Sequence, residues 1–228
     1  MALGIGPRAR LTVVSTITMA ATSRLLASLS DVKDELNIDQ GDASKDALLN
    51  RYIGECSAAI ENFCNRVFSI ETIKDRIFPS RDVPLNTIVD GIDPVQLSRW
   101  PVTELVALTE DGAALVEDVD FILDMATGQI TRLDANLYPA RWGAWPIVVD
   151  YKAGYATIPS DVSDAAIRAV AQRYLSRGRD RMLRGETVDG IGASQYWVST
   201  DASSGAAEGN LSPDVVSLLD NYRVPQVF

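Results

Sequence analysis

Carboxylates, arginines and two cysteines are the side chains of this 228-residue chain that could do chemistry, because it contains no histidine. Histidine is the commonest general base and the commonest metal ligand in proteins. Serine–histidine and cysteine–histidine catalysis are therefore excluded, and so are zinc sites with histidine ligands. The chain also lacks a glycine-rich phosphate loop and a dinucleotide-binding fingerprint. We expect no catalytic residue, no cofactor and no bound metal.

The two cysteines, Cys56 and Cys64, fall in one predicted helix. Eight residues of helix separate their α-carbons by roughly 12 Å, whereas a disulfide requires less than about 7 Å. They therefore cannot pair with each other within that helix. We interpret them as buried thiols on an apolar face, which suit a reducing cytoplasm.

Carboxylates are concentrated in the middle of the chain. Between Asp82 and Gln129 there are ten of them and a single base, Arg99, so this segment carries −9 of the net charge of −10. The ten are Asp82, Asp90, Asp93, Glu104, Glu110, Asp111, Glu117, Asp118, Asp120 and Asp124. One interpretation is a negative lining beside a DNA channel, or a patch for a basic partner. The other is a solvated sheet with charged turns.

These carboxylates give little support to a calcium site or a hydrolase. The glycine and the final glutamate of an EF-hand loop are missing around Glu117–Asp124. Nothing in the sequence fixes the separation of a carboxylate pair of the glycosidase type.

Arginines are concentrated further along, in the predicted helix 161–184. Arg173, Arg177, Arg181 and Arg184 recur at three- and four-residue spacing, so they share one helix face. In an acidic protein, one interpretation of such a stripe is a contact with phosphate, with the acidic sheet of a neighbouring subunit or with another partner. The alternative is a solvated helix face with local pairs to Asp180 and Glu186.

Aromatic and apolar residues near the C-terminus are candidate anchors for a partner. Tyr196 and Trp197 lie in a segment rich in glycine, serine and alanine, where a large ring needs another surface to bury it. The same argument applies to three residues at the end of the sequence, Tyr222, Val227 and Phe228. A frayed terminus is the alternative for the last group.

The composition, 46% hydrophobic and 23% charged, predicts a globular protein with a real core. The net charge of −10 excludes a general attraction to DNA. Arg8 and Arg10 precede an apolar run that resembles a short secretory signal, but its threonines and serines favour a strand over Leu11–Ser15. No run reaches the ~20 apolar residues of a membrane span.

The periodicity of apolar residues predicts an α+β fold, a small helical bundle with an inserted antiparallel β-sheet and flexible termini. Helices are expected at 31–37, 44–65 and 161–184, with Ser30 and Ser44 as the N-caps of the first two. The β region covers about 67–155, and a further short helix follows Ser212. Residues 1–184 would form the main domain, and residues 185–228 a flexible linker and a C-terminal segment.

Within the β region, a strand is expected over 67–78, followed by two hairpins and a last strand. The first hairpin joins 104–109 to 113–116 through the turn Glu110-Asp-Gly112, and the second joins 120–124 to 129–133. The last strand is 147–151.

Three stretches resemble, in order and spacing, the head–tail connector (adaptor) family of tailed phages and its gene-transfer-agent relatives. The first is Leu29–Phe68, with Leu29-Ser-Asp-Val-Lys-Asp-Glu-Leu-Asn-Ile38, Asp46-Ala-Leu-Leu49, Tyr52-Ile53, Ala58-Ala-Ile-Glu-Asn62 and Cys64-Asn-Arg-Val-Phe68. The second is Trp100-Pro-Val-Thr103. The third is Val148-Val-Asp-Tyr-Lys-Ala-Gly-Tyr155, followed by Ile158-Pro159. Leu11-Thr-Val-Val14 also matches the opening strand of the family, and a helix follows near Asp161, so the resemblance extends over roughly residues 11–184.

The resemblance implies a structural virion protein in the neck between head and tail, assembled in the host cytoplasm. Such proteins form a homo-oligomeric ring, here expected to be a dodecamer, beneath the portal protein. The ring extends the DNA channel without binding DNA specifically and receives a stopper or tail terminator protein. The C-terminal segment of similar adaptors reaches the portal, which would place Leu211–Phe228 there. No membrane partner is implied.

Two other classes of function remain open at this stage. One is a small hydrolase that uses a carboxylate pair or a divalent metal, and the other is a secreted binding domain, if the N-terminus is a signal peptide.

Overall fold

A computed structural model of the chain describes residues 11–79, 94–177, 185–188, 192–195 and 211–224. The chain divides into two compact units, which we call the sheet unit and the helical unit. The sheet unit is Met1–Thr22 with Ser69–Ala156, and the helical unit is Ser23–Phe68 with Thr157–Phe228. Helices and antiparallel sheets both occur among the described residues, so the α+β class is confirmed.

Within its described residues, the sheet unit contains a five-stranded antiparallel sheet and a three-stranded one. The larger sheet has the order β1-β2-β8-β4-β5 and the smaller the order β3-β7-β6. The strands are β1 Leu11–Met19, β2 Glu71–Pro79, β3 Val95–Gln96, β4 Val102–Glu110, β5 Ala113–Ala114, β6 Phe121–Asp124, β7 Gln129–Arg132 and β8 Ile147–Ala153. The two expected hairpins, β4–β5 and β6–β7, are confirmed.

Alternation along the central strands builds the core of the sheet unit. In β8 every second residue, from Ile147 to Ala153, is buried, and β2 shows the same pattern up to Ile77. Because side chains of a strand alternate between two faces, each strand contributes one apolar face. These faces form one cluster with residues of the smaller sheet: Ile73, Ile77, Val95, Leu97, Val102, Leu108, Phe121, Leu123, Ile130, Ile147, Val149, Tyr151 and Ala153.

The helical unit contains four α-helices and a short hairpin among the described residues. The helices are α1 Leu29–Glu35, α2 Asp46–Cys64, α3 Ser160–Leu175 and α4 Pro213–Leu219. Short 3₁₀ turns at Ala43–Lys45 and Asp220–Tyr222 precede α2 and follow α4. Part of the segment expected to be a linker forms strands, since β9 Gly185–Val188 pairs with β10 Gly192–Gln195.

The helix caps differ from those expected from the sequence. The cap of α1 is Ser28, whose hydroxyl accepts from the Asp31 N–H, rather than Ser30. Ser44 lies inside the 3₁₀ turn before α2, and its own N–H donates to the Asp42 carboxylate. The polar cluster at 39–46 offers several possible caps within a few residues, so composition alone selects the region and not the residue.

Helix α2 is the central element of the helical unit. One long stripe of it is buried: Leu49, Tyr52, Ile53, Cys56, Ser57, Ile60, Glu61, Phe63 and Cys64. It ends where Asn65 adopts a left-handed conformation, φ 51°, which asparagine tolerates better than most residues. Helix α3 packs against it and buries small side chains, among them Ala165, Ala166 and Ala169. Small residues at such a contact allow close approach of two helices.

A buried lysine fastens the connection from α1 to α2. Lys33 is 2% exposed. Its ammonium donates to the main-chain oxygens of Gln40 and Asp42, at 3.3 and 3.0 Å, and lies 2.6 Å from the Asp46 carboxylate. These partners satisfy a charge that would otherwise be very unfavourable inside the protein.

Two boundaries differ from the sequence-based expectation. Helix α3 ends at Leu175 instead of continuing to Arg184, with the Ser176 hydroxyl donating to the Arg173 carbonyl as the helix stops. Strand β2 begins at Glu71 rather than at residue 67, because Phe68 is buried in the helical unit. In the part of the chain that the structure describes, no helix is both long and apolar enough to cross a membrane.

Candidate interaction surfaces

The described carboxylates of the acidic segment either bind donors of the sheet unit or project from its turns. Asp111 and Asp118 are exposed in turns, and Glu117 is exposed next to one, in an isolated bridge to Phe121. Glu104 lies on the outer face of the larger sheet, where the Lys152 ammonium is 2.6 Å away. Asp82, Asp90 and Asp93 lie outside the described residues. Across the described ranges, no group of three or more carboxylate or cysteine ligands is placed to hold a metal ion.

Glu110 and Asp120 surround Arg132, a residue that sequence reasoning did not single out. Glu110 is buried, and its carboxylate lies 3.1 Å from Arg132 Nε. The other oxygen of Glu110 accepts from the N–H groups of Gly143 and Ala144. Arg132 also donates to the main-chain oxygens of Asp120 and Leu133. The cluster joins β4 of the larger sheet to β7 of the smaller sheet and to the loop before β8, so it holds the two sheets together.

Asp124 fixes the turn between β6 and β7. Its carboxylate accepts from the Thr127 hydroxyl and from the N–H groups of Ala126 and Thr127. These hydrogen bonds, first the one from the Thr127 hydroxyl, hold the pKa of Asp124 below its ordinary value. The described carboxylates therefore either lie in charged turns or bind neighbouring groups of the sheet unit, and they do not form one continuous acidic surface.

The basic stripe predicted on the third helix is partly engaged within the helical unit. Arg173 forms an ion pair with Glu55 of α2, and its guanidinium lies over the ring of Tyr52, 4.8 Å from the centroid. Arg177 follows the end of α3 and is exposed, beside the exposed Leu175. Arg181 and Arg184 lie outside the described residues. Arg173 therefore braces α3 against α2, while Arg177 stands on the surface.

Tyr222 is half-buried in the helical unit. Its ring meets Phe68 edge to face, with the centroids 5.9 Å apart. The neighbouring residues bind the end of α2, since the Val224 N–H donates to the Cys64 carbonyl and the Arg223 guanidinium lies over the Phe63 ring. The described C-terminal segment, 211–224, thus packs on its own unit. The other candidate anchors, Tyr196, Trp197, Val227 and Phe228, lie outside the described residues.

Both cysteines are free and buried, as the sequence predicts. Burial raises the pKa of the Cys64 thiol to about 11. Burial likewise raises the pKa of Cys56, although the nearby Arg173 opposes the shift. Protonated, enclosed thiols are poor nucleophiles, so neither cysteine has the character of a reactive site.

A buried polar network in the sheet unit was missed by sequence reasoning. Asp75 is fully buried in β2, and its carboxylate accepts from the Ser98 N–H, the Ser98 hydroxyl and the Tyr151 hydroxyl, each at 2.8 Å. Burial and the negative charge of Asp75 raise the pKa of Tyr151. The position of Asp75 in an alternating strand, where an apolar residue is expected, is the one signal in the sequence that points to it.

Strand β1 forms one edge of the larger sheet and is exposed along nearly its whole length. It pairs with β2 on one side, with Ser15 opposite Asp75. Among the described strands, none neighbours its other edge. Every residue from Thr12 to Met19 is exposed. The sequence predicted only Leu11–Ser15 as a strand and gave no indication that it is an edge.

Two solved structures share this fold. A chain from the structure described as "Neck of empty GTA particle computed with C6 symmetry" matches with a TM-score of 0.53 and 20% identity, over 94% of this chain and 97% of that chain. A chain from "Virion of native gene transfer agent (GTA) particle" matches with a TM-score of 0.52, at the same identity and coverage. At this identity the likeness establishes a common fold, that of a chain found in a gene-transfer-agent particle.

A family match adds to the shared fold. The model of the phage gp6-like head-tail connector protein family matches residues 26–92. That range includes Leu29–Phe68, the stretch on which the resemblance was first based, so the resemblance to head–tail connectors is confirmed. A comparison with curated proteins found no match.

Proposed function

We propose that this chain is a structural subunit of the neck of a phage or gene-transfer particle, where it joins head to tail. The observation that carries this proposal is the connector-family match over α1, α2 and β2, together with a fold shared over nearly the whole chain with a protein of a gene-transfer-agent neck. Copies of the chain form a ring, a dodecamer, between the portal and a stopper or tail terminator protein. The ring continues the DNA channel.

Physical features of the chain are compatible with this role. A channel wall that lets DNA slide must not bind phosphates, and a net charge of −10 opposes such binding. Several of the described carboxylates are engaged by local donors, as in the Glu110–Arg132 pair. We therefore assign no catalysis to the chain, and no observation favours the hydrolase or the secreted binding domain.

We place the contacts between neighbouring subunits on the outward sides of α2 and α3. Helix α2 presents Asn50, Arg51, Glu55, Ala58 and Asn62 to solvent, and α3 presents Asp161, Arg168 and Gln172. Such a polar contact suits a subunit that stays soluble before assembly. Arg177 and Leu175, at the end of α3, are the described residues best placed to extend it.

The C-terminal end remains our candidate for the portal contact. Residues 211–224 pack on the helical unit through Leu211, Val215 and Leu219, so the docking segment within the chain would be Val227 and Phe228 and the residues next to them. Tyr196 and Trp197 are the second candidate for the same partner.

Deleting the gene for this chain from a producing strain is expected to yield heads that package DNA but fail to retain it or to acquire tails. The reason is that the portal channel then has no adaptor to close it or to receive the tail. Electron microscopy of the particles and a transfer or plaque assay measure the effect. Supplying the full chain in trans should restore joined particles; functional particles that form in its absence would refute the proposal.

A further inference from the structure

In the part of the chain that the structure describes, β1 forms an outer sheet edge that no strand covers. It is nine residues long, and Val14 and Ile17 are 50% and 46% exposed. Its outward side presents a row of main-chain donors and acceptors that no strand of the larger sheet pairs with. Natural proteins usually blunt such an edge with charges, prolines, bulges or a covering segment.

The protective devices are present at the opposite side of the same sheet but scarce on β1. Strand β4 carries two irregularities in its pairing, at Val102/Glu104 and at Leu105/Ala107, it bears the charged Glu104, and it is partly covered by β5. Strand β1 has no charged residue and no proline over Leu11–Met19. Its one pairing irregularity lies near its end, at Ile17/Met19. The asymmetry distinguishes β1 from the opposite edge of the sheet and leaves it suited to pairing with another strand.

The sequence of β1 is complementary to itself when read in the opposite direction. Centred on Ser15, an antiparallel pair of β1 strands places Leu11 opposite Met19, Thr12 opposite Thr18, Val13 opposite Ile17 and Val14 opposite Thr16. Apolar residues meet apolar residues, threonine meets threonine, and the one mixed pair joins two β-branched residues. Pairs of these kinds stabilise sheets.

Two apolar residues of β1 also lie on the same side of the sheet, the side that faces the core. Val13 and Ile17 lie opposite the buried Ile77 and Ile73 of β2, so they are on the core-facing side of the sheet. In the antiparallel pair, Val13 of one chain would pack against Ile17 of the other across the new junction. No like charges are brought together along β1, although each chain carries a net charge of −10.

We propose that β1 binds β1 of a second copy, antiparallel and centred on Ser15, and so joins the two larger sheets into one continuous sheet. The pair has a two-fold axis. Neighbouring subunits of a cyclic ring are not related by such an axis, so the pair belongs to chains outside the proposed ring and would open when they assemble. This inference does not depend on the neck role, because it concerns the free protein in solution.

Two double variants of the full chain test the pairing and its register. Val14→Glu with Thr16→Glu places like charges opposite each other twice across the junction. Val14→Lys with Thr16→Glu places opposite charges there instead. In each chain, position 14 lies opposite Arg76 and position 16 opposite Lys74, so the first variant gains attraction to its own β2 and should fold. Circular dichroism and thermal unfolding verify the fold of both.

Sedimentation equilibrium gives the outcome. We expect the wild-type chain of 24.7 kDa to associate into a species of twice that mass. The like-charged variant should weaken the dimer at least tenfold relative to the opposite-charged one. A wild type that stays monomeric up to about 100 µM, or two variants that dimerise equally, would overturn the proposal. Incorporation of the chain into particles is measured separately, so failure of the dimer leaves the neck proposal standing.

Discussion

Replacing Gly154 with alanine is expected to lower the free energy of unfolding of the sheet unit by about 3–5 kcal/mol. Gly154 follows β8 with φ +130°, a conformation that residues with a side chain rarely adopt. A Cβ there would lie 2.5 Å from the Ser69 carbonyl oxygen and 2.8 Å from the Ile70 Cα. Both contacts are with backbone, so the neighbours cannot rotate away.

Gly112→Ala is the matched control for Gly154→Ala. Gly112 also has a positive φ, +83°, but a Cβ there would meet nothing within 4 Å. It should therefore lose only about 1–2 kcal/mol, from the backbone conformation alone. Denaturant unfolding followed by tryptophan fluorescence measures both variants, because Trp100, Trp142 and Trp145 lie in the sheet unit. Equal losses at the two glycines would contradict the crowding at Gly154.

Replacing Asp75 with alanine is expected to destabilise the sheet unit by about 3–5 kcal/mol. The carboxylate is fully buried and accepts three hydrogen bonds, two from Ser98 and one from Tyr151. Alanine removes the acceptor and leaves the Ser98 N–H and the Tyr151 hydroxyl buried with weaker partners. The loop at 97–99 would lose its attachment to β2, so its amides should also exchange faster with solvent.

Tyr151→Phe is the comparison for Asp75→Ala. It removes one donor to Asp75 and one acceptor for the Arg99 N–H, while Ser98 still satisfies the carboxylate. A loss of about 1–2 kcal/mol is expected. Equilibrium unfolding of the two variants ranks them, and the ranking would be contradicted if Tyr151→Phe proved as damaging as Asp75→Ala.

Local sequence patterns predicted most elements of this fold. The hairpin through Asp111-Gly112 was predictable because aspartate followed by glycine is typical of a tight hairpin turn. In the structure both residues adopt the positive φ that such a turn requires, 46° and 83°. The buried stripe of α2 follows directly from apolar spacing. What patterns could not give is the pairing of distant strands. In the larger sheet β2 lies between β1 and β8, an order set by contacts across 53 or more residues of chain.

The candidate surfaces were less predictable than the fold, for physical reasons. Arg173 and Tyr222 look like free anchors in the sequence, but Arg173 binds Glu55 and Tyr222 packs on Phe68. Whether a long side chain finds a partner in its own chain depends on tertiary packing, which periodicity does not encode. The exposure of β1 is of the same kind, since a strand becomes an edge only through the order of the whole sheet.

The most direct test of the neck role is a single-particle reconstruction of the head–tail junction of particles from the producing strain. We expect density for both units of this chain, repeated around the axis as a ring between the portal and the first tail or stopper protein. The same particles should contain the chain in a fixed ratio to the portal. A junction built without this chain, or its presence only elsewhere in the particle, would contradict the neck role.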